Sequence, residues 1–225
     1  TMHPGDFIIT PSWTWHDHGH EGGNDGAAPV VWLDGLDIPI LRLFGTTFAE
    51  NLPQAVQAVT RPAGVSQARY ANNLLPVGPA RAGRTSPIFN YPYERSRDAL
   101  ARLARDTETD PWVGIRLRYS NPLDGGWAMP TMGTFLQWLP AGFRGRPHRS
   151  TDGTVYSVVE GRGTAIVRRG DIVERFAVGP KDHFVVPTWF TLEWQTESEV
   201  VVFSFSDRPV QEAIGLHREE FLEEC

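Results

Sequence analysis

From Ile115 to Phe205 the chain is cut into short apolar runs by Gly, Pro and Asp, and this punctuation limits the folds open to it. The runs fall at 115–119, 133–139, 154–160, 163–168, 172–177, 184–187 and 199–205. Each has the length of a strand and is bounded by turn formers. Strands this short at such spacing close into a sandwich or a small barrel. At 225 residues, 40% of them hydrophobic and 11% aromatic, the chain can bury a real core in one large or two small domains.

Charge and cysteine content exclude several partners. Net charge is −6, from 21 basic and 27 acidic residues with the signs interspersed, which argues against nucleic acid or a polybasic membrane contact. The single cysteine is Cys225, so no internal disulfide can form and a reducing cytoplasm fits. No apolar run reaches the roughly 18 residues of a membrane span.

The chain divides into four stretches. Residues 1–45 read as the end of a first β-domain, with a strand over 29–39 and a Gly- and Asn-rich loop from Gly19 to Ala28. Residues 46–110 read as a linker with short helices. Phe48, Leu52, Val56 and Val59 fall near helical period in 46–60, and 61–93 is proline-rich and irregular. Ser96 to Thr107 reads as a helix capped by Ser96, with Leu100, Leu103 and Ala104 on one face. Residues 111–207 hold the complete β-domain, and 208–225 form an acidic tail of helical spacing.

The segment Gly5-Asp6-Phe7-Ile8-Ile9-Thr10-Pro11-Ser12-Trp13 leads into His16 and His18. On an extended strand residues i and i+2 share a face, so the two histidines are expected on one side of a sheet. The segment recurs loosely as Lys181-Asp182-His183-Phe184-Val185-Val186-Pro187-Thr188-Trp189, two copies of one supersecondary unit. A Gly-Asp turn, an apolar strand, a Pro turn and an inward His resemble the second motif of a cupin barrel, whose His is the last metal ligand. The preceding ligands, a His-x-His pair and an acid, would lie N-terminal to Thr1, so the chain reads as the C-terminal two-thirds of a longer protein. A third possibility makes His16 and His18 themselves the metal pair. The Gly-Asp and Pro frame before them and the close spacing of Glu21 rank it lower.

Longer runs sharpen the resemblance: PSWTWHDHG, PVVWLDGLDIP, FNYPYERSRDAL, LPAGFRGRPH with TVYSVVEGRG, and VVFSFSDRPVQEAIGLHREE. From Gly5 to Glu220 these are similar to the gentisate 1,2-dioxygenase family, a group that also includes salicylate and 1-hydroxy-2-naphthoate dioxygenases. The resemblance implies an all-β bicupin with an incomplete N-terminal cupin, a homotetramer and mononuclear Fe(II). It implies cleavage of a hydroxy-aromatic acid such as gentisate by O2, giving maleylpyruvate. His16 matches the third iron ligand, His18 a neighbouring histidine that contacts substrate, and Asp34 an acid beside the ligands.

The second barrel departs from that pattern. The family often has His-Arg-His where this chain reads His148-Arg149-Ser150, the later acid survives as Glu160, and the place of His16 falls near Trp194. A serine hydroxyl is a poor Fe(II) ligand beside imidazole and carboxylate, so this barrel is expected to hold no metal. Arg144, Arg146 and Arg149 are expected to be solvated or intersubunit, and His183 and His217 to lie at the surface or an interface.

Neutral imidazoles suit Fe(II) at neutral pH, and His18 is placed to orient a substrate or take a phenolic proton. The opposing possibility is a truncated, non-catalytic bicupin with a structural or small-ligand-binding role.

Overall fold

A computed structural model describes residues 2–20, 29–78 and 83–223. Most of Gly19–Ala28, with Glu21, and also Cys225 lie outside the described residues. The first elements are a two-residue strand β1 (Phe7–Ile8), helices α1 (Ile38–Leu43) and α2 (Val65–Tyr70), a second short strand β2 (Asn90–Tyr91) and helix α3 (Tyr93–Asp106). Then come β3 (Ile115–Arg118), β4 (Gly133–Leu139), β5 (His148–Ser150), β6 (Thr154–Glu160), β7 (Gly163–Arg169) and β8 (Ile172–Val178). The chain continues through β9 (His183–Val186), β10 (Thr191–Thr196), β11 (Val200–Ser206), α4 (Arg208–Ala213) and β12 (Glu219–Phe221).

The strands from β3 onward form two five-stranded sheets, ordered β3-β4-β11-β6-β9 and β12-β5-β10-β7-β8. Every pairing is antiparallel. Only β3-β4 and β7-β8 pair consecutive strands, and the other neighbours are separated in sequence, so the chain passes repeatedly between sheets. The seven runs that the punctuation marks are all strands, within a residue at each end. Three further strands join them: β5, β10 and β12.

Two packed layers fill the space around the first sheet. Between the sheets lie Tyr156, Val158, Ala165, Val167, Phe184, Leu192, Trp194, Val200 and Val202. On the outer face Ile9, Leu100, Ile115, Tyr119, Leu136 and Val201 make a second cluster. Val200, Val201 and Val202 are consecutive and fully buried, because β11 has the barrel core on one face and α3 with β1 on the other. A strand covered on both sides reads as a continuous apolar run.

Several local expectations are corrected. Pro29–Asp37 forms no strand among the described residues, and α1 begins just after it. Pro39 sits in the first turn of α1, where its fixed φ suits a helix and its missing N–H leaves no bond unmade. Residues 46–60 are not helical, and Phe48, Val56 and Val59 are exposed. A short helix needs tertiary packing of its apolar face, and that face has none here. The irregular stretch 61–93 contains α2 and β2. Helix α3 starts three residues before Ser96, which lies inside it and donates to the Pro92 carbonyl at 3.1 Å. Of its expected face, Leu100 is buried, Ala104 packs on the outer cluster and Leu103 is exposed. The tail is only half helical: α4 ends at Ala213, and β12 then adds an edge to β5.

Candidate functional site

The two copies of the repeated segment share one turn. The Asp6 N–H donates to the His3 carbonyl, and the His3 N–H donates back to the Asp6 carboxylate at 3.0 Å. The Asp182 N–H bonds the Gly179 carbonyl, and the Gly179 N–H donates to the Asp182 carboxylate at 2.8 Å. Left-handed backbone precedes each aspartate, at Gly5 (φ 84°) and Lys181 (φ 76°), and recurs at Trp13 (φ 64°) and Trp189 (φ 66°). Four matched anchors set the register between the copies. In that register His16 corresponds to Leu192 and His18 to Trp194. Trp194 therefore stands opposite His18 and not opposite His16, a shift of one strand repeat.

The outcome differs sharply between the copies. Leu192 and Trp194 are fully buried in β10 and fill the barrel interior. His16 and His18 are exposed and lie in a segment with no strand pairing among the described residues. Their rings are nonetheless together, with centroids 5.4 Å apart and planes at 83°. The His18 ring stacks on Trp32, at 5.1 Å and 17°. Nearby, the Asp17 carboxylate accepts the Gln57 N–H at 2.9 Å, and Trp13 lies 5.5 Å from Phe48. Asp34 is exposed, two residues beyond Trp32. The structure does not join it to the histidines as a ligand set, since no group of three His, Cys, Asp or Glu side chains is assembled among the described residues.

The segment carrying Trp32 and Asp34 is seated on the barrel formed by β3–β12. A Cβ on Gly35 would lie 3.1 Å from the Phe205 ring, so the backbone touches that aromatic face. Two residues on, the Thr131 hydroxyl donates to the Asp37 carboxylate at 2.6 Å. Sequence inspection passes over Trp32, although it stands in the same WLD run as Asp34.

Strand β5, which carries His148-Arg149-Ser150, is covered at its edge by β12. His148 is buried, hydrogen-bonds the Leu192 backbone and has Phe221 of β12 stacked 6.3 Å away. Burial, then the nearby Arg116 charge, pushes its pKa down to about 4. Arg146 and Arg149 stay partly exposed and pair within the chain, with Glu223 and Glu220 of the tail at 2.8 and 2.6 Å. Arg149 also lies over Trp189, 4.6 Å from the ring centre. Arg144 is exposed, as expected. Glu219 meets Arg116 and Arg208 at 3.4 and 3.3 Å. The His217 side chain is mostly covered, 12% exposed, and lies 3.3 Å from a buried Asp152. Burial raises the Asp152 pKa, but hydrogen bonds from Ser150 and Ser206 and the Arg208 charge outweigh it and leave the value lowered. His183 is exposed.

Glu160 is engaged elsewhere. It accepts from the Tyr93 hydroxyl at 2.5 Å and from Arg97 at 3.1 Å, both on α3. Burial and this carboxylate raise the Tyr93 pKa well above the usual tyrosine range. Glu160 thus ties a helix to the barrel wall.

The two antiparallel sheets and the repeated turn-strand-turn unit define a cupin-type β-barrel, and the chain is all-β with a few short helices. It is a homologue of the gentisate 1,2-dioxygenases: it is 51% identical over 219 residues to gentisate 1,2-dioxygenase 1 of Aquipseudomonas alcaligenes, covering 97% of this chain and 61% of that protein. It is 33% identical to the 5-aminosalicylate 1,2-dioxygenase of Comamonas sp, over 96% of this chain and 55% of that one. The 1-hydroxy-2-naphthoate 1,2-dioxygenase of Nocardioides sp. strain KP7 is 34% identical, with 96% and 54% covered. Among solved structures, salicylate 1,2-dioxygenase of Pseudoaminobacter salicylatoxidans with gentisate matches at TM-score 0.73 and 26% identity, covering 84% of this chain and 52% of that one. The chain therefore spans little more than half the length of these relatives. No protein-family profile matches it. No helix among the described residues is long and apolar enough to cross a membrane.

Proposed function

We propose that the chain is the larger part of an Fe(II)-dependent dioxygenase that opens the ring of gentisate or a related hydroxy-aromatic acid. Gentisate and O2 would give maleylpyruvate, with both oxygen atoms entering the product. The observation that carries this is the 51% identity to a gentisate dioxygenase along 97% of the chain, the His16–Asp34 segment included.

In this reading residues 1–45 belong to the iron-site barrel, 46–110 link the two barrels, and 111–207 form a barrel that holds no metal. Leu192 and Trp194, which fill that interior at the histidine positions of the first copy, support the last point. His16 would supply one neutral imidazole to Fe(II), whose role is to bring substrate and O2 together and pass charge between them. The described residues do not by themselves complete a ligand set. His18, two residues on, orients the bound acid and accepts or returns the phenolic proton. Asp34 steadies the ligand side by hydrogen bonding. Assembly as a homotetramer in the cytoplasm completes the proposal.

The test is iron content and O2 uptake with gentisate, salicylate and 1-hydroxy-2-naphthoate, on this chain and on the longest polypeptide that contains it. Iron-dependent uptake with one of the three acids, by either form, is the expected result. No iron and no uptake in both forms would favour a non-catalytic bicupin.

A further inference from the structure

We propose that Trp32 is a positioning residue for His18, and that the second barrel holds it in place through Gly35 and Asp37. The inference rests on the dioxygenase reading for its catalytic meaning, but its geometry stands independently. The indole and imidazole planes lie 17° apart with centroids at 5.1 Å, a stacked contact that fixes the plane of the imidazole. Once that plane is fixed, the ring nitrogens of His18 can point only within it. His16 meets this plane nearly at right angles, at 83°. The stack thus separates the two rings by role, one edge-on to its neighbour and the other held flat.

Trp32 is about half exposed and so is not held by burial. What holds it is the backbone that follows. Gly35 lies against Phe205 of β11, where a Cβ would come within 3.1 Å of the ring. Asp37 is tied by the Thr131 hydroxyl at 2.6 Å, just before β4. Strands β4 and β11 are neighbours in one sheet of the second barrel, paired from Gly133 to Leu139. A barrel whose own interior is filled by Leu192 and Trp194 thereby acts on the chemistry as a platform. Groups that orient a functional side chain commonly matter by about 10–100-fold when removed, and Trp32 belongs with them.

The experiment has two arms. In the first, His18 ring-proton resonances are followed by NMR in the 225-residue chain, assigned by their loss in His18→Gln. Wild type should show them shifted upfield by the indole ring current. Trp32→Ala should move them to the position of a free imidazole, Trp32→Phe should keep most of the shift, and Thr131→Val or Gly35→Ala should lose part of it. Far-UV circular dichroism and the His148 resonances should not change, which separates local release from unfolding. His18 signals that are the same in wild type and Trp32→Ala would overturn the proposal. In the second arm, kcat and KM are measured in whichever form turns over. Trp32→Ala should lower kcat by about 10-fold or more at unchanged iron content, with Trp32→Phe recovering most of it. An unchanged kcat would overturn the positioning role. A positive first arm without turnover by any form would leave the stack established and count against the dioxygenase reading alone.

Discussion

The imidazole of His148 is enclosed between Phe221, Leu192 and the Arg116 charge, surroundings that favour its neutral form. Its pKa of about 4 lies below the ordinary value of about 6.5 for an unfolded chain. Between those two values the unfolded chain binds more protons, so stability is fully present above pH 6.5 and declines as pH falls toward 4. The size from this one group is about 3 kcal/mol. Urea unfolding at pH 7 and pH 4 should show the loss in wild type and a loss smaller by about that amount in His148→Leu, which carries no proton to gain. Equal losses in the two proteins would contradict the account. At His16 and His18 the expected effects divide. His16→Ala should lower iron occupancy and ring cleavage together, by at least the roughly 10-fold seen when outer groups are lost. His18→Ala should leave the iron and lower turnover. Metal analysis beside steady-state kinetics distinguishes the two, and iron lost from both variants would make His18 a ligand as well.

Elements differ in how openly the sequence announces them. The strands with consecutive apolar residues, such as β11 and β6, are legible because burial on one or both faces leaves no room for polar groups. Strand β10 was harder to see: Thr191, Glu193 and Gln195 alternate with buried Leu192, Trp194 and Thr196, so no apolar run stands out. Strand β12 could not be read at all, since Glu219 and Glu220 gain their place from arginines far away in sequence. The site was legible in its residue types and not in its setting. His16 and His18 were visible as a pair, but their exposure and the Trp32 stack depend on contacts between segments separated in sequence. Helix α3 was visible by its period, and its docking shows why it matters. Leu100 is its one fully buried side chain, set in the outer cluster against the sheet. Leu100→Ala should cost about 2–5 kcal/mol in chemical denaturation, the range for a buried leucine. A cost under about 1 kcal/mol would mean that α3 is held by the contacts of Tyr93 and Arg97 with Glu160 instead.

In the whole molecule, the last residues complete the sheet that the middle of the chain begins. Strand β12 pairs with β5, Glu219, Glu220 and Glu223 meet arginines of the barrel, and the Trp112 indole donates to the Leu222 carbonyl at 2.7 Å. Ending the chain at Gly215 should therefore lower the melting temperature and raise light scattering at neutral pH, because an unpaired strand edge templates association. Scattering and melting equal to wild type would show that the tail is dispensable to the barrel. The same arrangement bears on how the protein is made. Arg149 and its partner Glu220 are 71 residues apart in sequence. At a synthesis rate of 5–20 residues per second, the edge of β5 waits about 4–14 s after it is made before its covering strand exists. For that interval a nascent chain carries an open sheet edge next to an incompletely enclosed His148, and crowded ribosomes on one message would hold several such edges near each other. The fraction reaching the folded state in cells should therefore depend on translation speed through residues 150–221 and on chaperones that shield that edge.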